Sequence, residues 1–229
     1  MGAEEFINHT VRYCLWLKGV SPSEYRKIKP IKDRLEKVRE FRETSPTESV
    51  REDDAKTPAL FTQIRQPDSN YIVIPETSSE KRKYVPMGFM TPDIICSNAL
   101  RLIPKATHYH FGVLTSSAHM AWMRAVAGRL KSDYRYAPAI YNNFIWPDAT
   151  DEQKAHIEAT AQAILDARKQ FPDSSLADLY DDTVMPVELR RAHEANDRAV
   201  LAAYGWDEDT AEADIVSRLM ELYQQKAGC

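Results

Sequence analysis

The spacing of apolar and polar positions divides the chain into a first stretch of short, changing periods and a last stretch that is helical throughout. From Glu5 to Leu17 the β-branched and aromatic residues Phe6, Ile7, Val11, Tyr13 and Leu15 predict one or two strands with a turn near Asn8–His9. Ile31, Leu35, Val38 and Phe41 then recur at helical spacing. They predict an amphipathic helix over 31–42 whose Lys32, Arg34, Lys37, Arg39 and Arg42 alternate with acids on solvated faces. Residues 44–57 have no period, are rich in Ser, Thr and charge, and read as a mobile loop.

Between Asn70 and Thr115 the pattern turns strand-like at 71–74, 84–85, 88–90, 94–95 and 108–114, with Pro, Asn and charged residues as punctuation. Strands in unbroken succession, without a long helix after each, favour an antiparallel or mixed sheet over a doubly wound one. A helix over 117–130 follows, with Ser116 or Ser117 able to cap it and Met120, Met123, Val126 and Ala127 on one face. Beyond Pro147 every signal is helical. Thr150 and Gln153 have capping-box spacing, Pro172 ends the first helix, a short helix spans 175–180, Pro186 suits a first helical position, and Gly205 stops that segment. Ile215, Leu219, Leu222 and Tyr223 form the last apolar stripe. The expected fold is α+β: a mixed or antiparallel sheet with packed helices over 1–147, then an all-α unit over 148–229, with no internal repeat.

Composition narrows the class. With 43% hydrophobic and 28% charged residues in 229, disorder throughout is excluded, and no apolar run is long enough for a membrane span or a secretory leader. Cytoplasmic location is expected. Cys14, Cys96 and Cys229 are odd in number and lack C-x-x-C spacing, so they read as reduced thiols and not as a disulfide framework or cysteine-rich zinc site. The net charge of -4 conceals an asymmetry: residues 1–147 carry 22 Lys+Arg against 16 Asp+Glu, and residues 148–229 carry 8 against 18. The first part therefore suits a polyanion and the second does not.

Several chemistries are disfavoured by what is missing. There is no G-x-G-x-x-G and no P-loop, and seven glycines leave little for a phosphate cradle. Asn142-Asn143-Phe144 lacks the prolines of an amino-methyltransferase motif. Asp148 with Glu152 and Lys154 has the residue types of a magnesium nuclease at the wrong spacing, and the acids suit a helix start. His108 and His110 would share one strand face near His119, but no third metal ligand has a fixed spacing, so hydrogen-bonded histidines are the simpler reading. No metal site and no bound cofactor are expected.

The positive signals point to nucleic acid. Arg129, Lys131 and Arg135 interleave with Tyr134 and Tyr136, so cations can meet phosphates while rings and hydroxyls add directional contacts. Lys81, Arg82 and Lys83 fall at a turn between two predicted strands, which reads either as a solvated turn or as a hairpin entering a groove. Ser116, Ser117 and His119 sit at a helix start, whose free amides suit phosphates or base edges, whereas Met120, Trp122 and Met123 read as core.

The stretch FGVLTSSAHMAWMRAVAGRLKSDYRY (111–136) followed by YNNFIWP (141–147), with PETSSEKRKYVPMGF (75–89) upstream and AQAILDARKQFPDSSLADLYDDTVMPVELRRAH (161–193) downstream, closely resembles the C-terminal part of the MmeI-type restriction and modification polypeptides. These are DNA adenine methyltransferases, often fused to an N-terminal nuclease, and the resemblance runs from EEFINH to ELYQQ. It implies a target-recognition domain over 1–147 that docks on double-stranded DNA, and a helical C-terminal domain over 148–229 packed behind it. It also implies that the catalytic core, with its S-adenosylmethionine loop and any Mg²⁺ chemistry, lies outside this chain. The chain would then be a detached domain or a truncated product that is no enzyme by itself, with the methyltransferase catalytic domain as its partner in the same polypeptide. By the same resemblance Ser78, Ser79, Glu80, Arg82, Ser116, Ser117 and His119 are candidate base-edge or backbone contacts, and the basic run itself makes Arg129, Lys131 and Arg135 candidate phosphate contacts. The alternatives are a protein-interaction module without DNA affinity of its own, and an autonomous nuclease or divergent methyltransferase.

Overall fold

The computed structural model describes residues 1–228, so Cys229 lies outside the described residues. The chain opens as a helix where strands were expected. In α1 (Ala3–Asn8) the Glu5 carboxylate accepts a hydrogen bond from the Gly2 amide at 2.7 Å, Phe6 enters the core, and His9 ends the helix at φ 52°. These local bonds satisfy the backbone without a partner strand. Past the helix Val11 and Tyr13 are 73% and 91% exposed, so the aromatic alternation there marks no sheet.

Residues Arg12–Gln66 form one compact unit, containing α2 (Pro22–Tyr25), α3 (Lys29–Glu43), α4 (Glu48–Glu52) and a 3₁₀ turn (Asp54–Lys56). The expected helix is present as α3, with Ile31, Leu35 and Val38 half-buried. The expected loop over 44–57 is instead ordered, because the Arg42 guanidinium donates to the carbonyls of Asp54 (2.7 Å), Thr57 (3.1 Å) and Leu60 (2.8 Å) and fixes the returning chain. Ala55 is the only fully buried residue of this unit among those described.

The other unit comprises residues 1–11 and 67–229, of which 229 is not described. Its elements are β1 (Tyr71–Pro75), β2 (Thr77–Ser78), β3 (Gly88–Met90), β4 (Leu100–Pro104), α5 (His108–Leu114), α6 (Ser117–Val126), β5 (Gly128–Leu130), β6 (Asp133–Arg135), α7 (Pro138–Asn142), α8 (Asp151–Lys169), α9 (Leu176–Leu179), α10 (Val187–Ala203) and α11 (Glu212–Ala227). They make two small antiparallel sheets, β3-β1-β4 and β2-β6-β5. Strand β1 is central and buried along its whole length, as its unbroken apolar run requires. The fold is α+β with a helical C-terminal part.

Five details depart from the sequence pattern. Tyr84–Val85 is buried loop and Ile94–Ile95 lies outside any strand, while β4 forms where Arg101 interrupts the apolar run. His108–Leu114 is a helix, started by Thr107, whose amide and hydroxyl both meet His110 Nδ1 at 3.1 and 3.0 Å. Four consecutive buried residues, Phe111–Leu114, hide its helical period. Finally, α6 stops at Val126, and 128–130 pairs as a strand.

The helices beyond Pro147 begin and end as their caps dictate. Thr150 and Gln153 form the reciprocal box at the start of α8, Ser175 and Asp178 do so at α9, and Gly205 adopts φ 73° after α10. Residue Pro186 caps α10 from just outside it. Helix α8 packs on α10 and on α5, and the closest approach is at Gly112, where an added Cβ would lie 2.6 Å from Ile157 Cγ2. The Asn196 amide there donates to the Gly112 carbonyl at 2.7 Å. One hydrophobic core thus runs from Tyr71 and Phe111 through Ile157, Ile164 and Leu189 to Leu219, each large side chain contributing about 1.5–3 kcal/mol. Among the described residues no helix is long and apolar enough to cross a membrane.

Candidate nucleic-acid interface

The sequence-distant candidates 78–83 and 129–135 meet on the sheet β2-β6-β5. Strand β6 pairs with β5 as a hairpin (Arg129 opposite Tyr134, Leu130 opposite Asp133) and with β2 on its other side (Ser78 opposite Tyr134). The turn is closed by Lys131 in the left-handed region at φ 57°. Every residue of β5 is exposed, as are Lys131 and Ser132, whereas Tyr134 is buried beneath them. Loop 79–83 leaves β2 through a turn in which the Arg82 amide donates to the Ser79 carbonyl at 3.2 Å. It is not the tip of a hairpin, because the chain passes from one sheet to the other.

Three arginines on this surface are held differently. Arg129 Nη1 donates to Glu80 at 3.1 Å and to the Ser132 carbonyl at 2.6 Å, with its guanidinium 3.9 Å from the Tyr134 ring centroid. Arg135 Nε donates to Glu76 at 3.0 Å, and Arg101 Nη2 meets the same carboxylate oxygen at 2.8 Å. Glu76, which no sequence signal singled out, therefore braces the base of the hairpin. Lys81, Lys83 and Lys131 project into solvent, and Arg82 is half-buried: burial pushes its guanidinium below the ordinary arginine range, while Asp133 and Asp181 favour its charged form.

The start of α6 is occupied by the protein itself. Ser116 and His119 are fully buried, and Ser116 donates its hydroxyl to the Val113 carbonyl at 2.7 Å while accepting from the His119 amide at 3.4 Å. The Ser117 amide donates to Asp197 of α10 at 2.7 Å, so a carboxylate sits where a phosphate was expected. Ser78 is buried too. Of the candidate DNA contacts, Ser78, Ser116 and His119 are thus buried, and Ser117 is half-buried with its amide on Asp197. The signal that distinguishes them, Asp197, lies far along the sequence.

A buried polar network backs loop 79–87. Asp197 accepts from Tyr84 at 2.7 Å; burial pushes its carboxyl up while the Tyr84 and Ser117 donors hold it down. His193 stacks on Tyr84 at 4.1 Å and shares a 2.8 Å hydrogen bond with Tyr180. Arg168 donates to the Tyr180 hydroxyl and, at 2.6 Å, to the Met87 carbonyl. Burial drives the His193 ring well below the ordinary imidazole range, helped by Arg168 and Lys83, and drives His119, bonded to Tyr136 at 2.8 Å, down to about 3. Both rings are neutral. Among the described residues no group of three or more His, Cys, Asp or Glu side chains could hold a metal ion, and the helix places His108 against Phe89 at 5.1 Å, away from any pairing with His110.

The sequence matches the family model described as MmeI, target recognition domain, over residues 1–148, and that described as MmeI, C-terminal domain, over residues 149–228. The chain belongs to the MmeI family. DNA methyltransferase A of Bacillus subtilis (strain 168) is 39% identical over 98% of this chain. A solved structure of the Type IIL restriction-modification enzyme MmeI in complex with DNA is 44% identical, covers 100% of the chain and superposes with a TM-score of 0.96. The chain spans 26% of the first relative's length and 31% of the second's. The matched MmeI regions are the recognition and C-terminal domains and do not include a catalytic core.

Proposed function

We propose that this chain is the DNA target-recognition part of a restriction-modification methyltransferase, and that it docks on duplex DNA through the sheet β2-β6-β5 and loop 79–83. The observation that carries this reading is the convergence of two basic segments on one exposed hairpin surface, in a chain matched along its length by recognition and C-terminal domains. Lys81, Lys83, Lys131 and Arg135 provide phosphate contacts, which fix register. The helices behind them, through Arg168, His193 and Asp197, hold loop 79–87 in shape. Methyl transfer from S-adenosylmethionine, and any Mg²⁺-dependent cleavage, belong to catalytic domains of the longer polypeptide, acting in the cytoplasm where DNA is reached.

Four phosphate contacts give a log K against log salt slope of about -3 to -4. Anisotropy titration of a labelled duplex pool between about 50 and 200 mM salt checks this. A slope in that range supports DNA docking, and no binding at the lowest salt sinks it in favour of a protein-docking role.

A further inference from the structure

The sequence pattern groups Arg129 with the phosphate contacts, but its geometry is that of a base reader. A guanidinium carries five N–H donors, and the two on Nη1 are spent on Glu80 and on the Ser132 carbonyl. No described residue accepts from Nε or Nη2. That unspent edge is a flat, two-donor fork, the shape that matches guanine O6 and N7 in the major groove. By contrast Arg135 has already used Nε on Glu76, and Arg101 has used both Nε, on the Tyr136 carbonyl at 3.3 Å, and Nη2, on Glu76.

The plane of the fork is fixed before any ligand arrives. The Tyr134 ring lies under the guanidinium at 3.9 Å, Glu80 and Ser132 grip one end, and Arg129 itself is 45% exposed on an edge strand whose outer side carries no partner strand. A phosphate contact needs only a charge on a flexible stem, as Lys131 offers. A braced, stacked arginine gives up side-chain freedom in advance, which favours one geometry over another and so favours discrimination.

We infer that Arg129 reads a guanine of the target sequence through its Nε/Nη2 edge, with Glu80 as the positioning residue that holds it. This rests on the DNA-recognition reading. The guanine contact is direct; Glu80 acts through Arg129 and keeps it from swinging to a phosphate.

Selection from a random duplex library with the 229-residue chain, followed by a salt series on the enriched sequence, tests the inference. Arg129→Lys keeps the charge but loses the fork, so it is expected to cut the preference for guanine at one position by about 5- to 150-fold while leaving the salt slope unchanged. Glu80→Ala should weaken that preference and Glu80→Gln, which keeps an acceptor at the same reach, should restore most of it. Lys131→Gly should make the slope shallower by about 1 and leave the preference intact. Circular dichroism and an unfolding midpoint matching the parent's confirm that each variant is folded. The inference is overturned if Arg129→Lys retains the guanine preference, if it weakens all sequences alike, or if Lys131→Gly abolishes the preference as well. A parent chain that binds no duplex overturns the recognition reading itself, and the inference with it.

Discussion

The start of α6 and the β5–β6 hairpin both present serine, histidine or cationic side chains in a pattern suited to DNA, yet the molecule uses them in opposite ways. At the helix start the amide of Ser117 is taken by Asp197, and Ser116 and His119 spend their hydrogen bonds inside the core. At the hairpin Arg129 and Arg135 stay at the surface, braced by Glu80 and Glu76, with Lys131 exposed beside them. The difference teaches that a helix N-terminus attracts any carboxylate the fold can bring to it, and that only the cations left over at a rim are available to a partner. Charge shows the same thing. Of the 22 basic residues before residue 148, 13 lie with 9 acids in 12–66, leaving 9 against 7 for the remainder, so the hairpin's suitability comes from placement and hardly from net charge.

The largest expected effect lies at the helix start. Asp197→Ala leaves the Ser117 amide and the Tyr84 hydroxyl buried without acceptors and should cost roughly 3 kcal/mol in urea unfolding. A loss below about 1 kcal/mol would show that the carboxylate is not what holds α6. The pH effect is next in size. His119, held down to about 3, and His193 are neutral when folded but bind protons below about 6.5 when unfolded. Their stabilisation is therefore complete above that pH and is lost as pH falls, by about 1 kcal/mol for each ring at pH 5.5. The urea midpoint should drop between pH 7.5 and 5.5, and His119→Gln should flatten part of the drop; equal midpoints in the parent would contradict buried neutral rings. The hairpin variants should move stability least. Arg129→Lys disturbs an ion pair about half exposed, and Lys131→Gly relieves a left-handed residue, so both should stay within about 0.5 kcal/mol of the parent in stability and change only DNA binding.

What the sequence revealed followed how local each signal is. The cap Thr150/Gln153, the stop at Pro172 and the glycine after α10 act within one turn and make α8 and α10 legible, while α11 is legible from the apolar stripe Ile215, Leu219, Leu222 and Tyr223. Helix α5 was hidden because its buried run has no polar face to reveal the period, and α1 because Phe6-Ile7 looks β-like until Glu5 is seen to cap Gly2. Strand β4 was obscured by Arg101, whose charge is spent on Glu76. For the site, the basic and aromatic run 129–135 was legible as chemistry. Its junction with 78–80 was not, because it depends on β2 pairing across β6, a long-range choice that no local pattern encodes. Nor could the sequence separate Ser116 from Lys131, since burial is set by α10 packing over the one and by nothing covering the other.

Hydrogen exchange of the 229-residue chain with and without a saturating duplex tests the central claim most directly. Amides of 79–83 and 128–135 are expected to slow on DNA addition, while those of 117–119, already paired or enclosed within the fold, are expected to keep their rates. Protection at the start of α6 without protection of the hairpin would contradict the account.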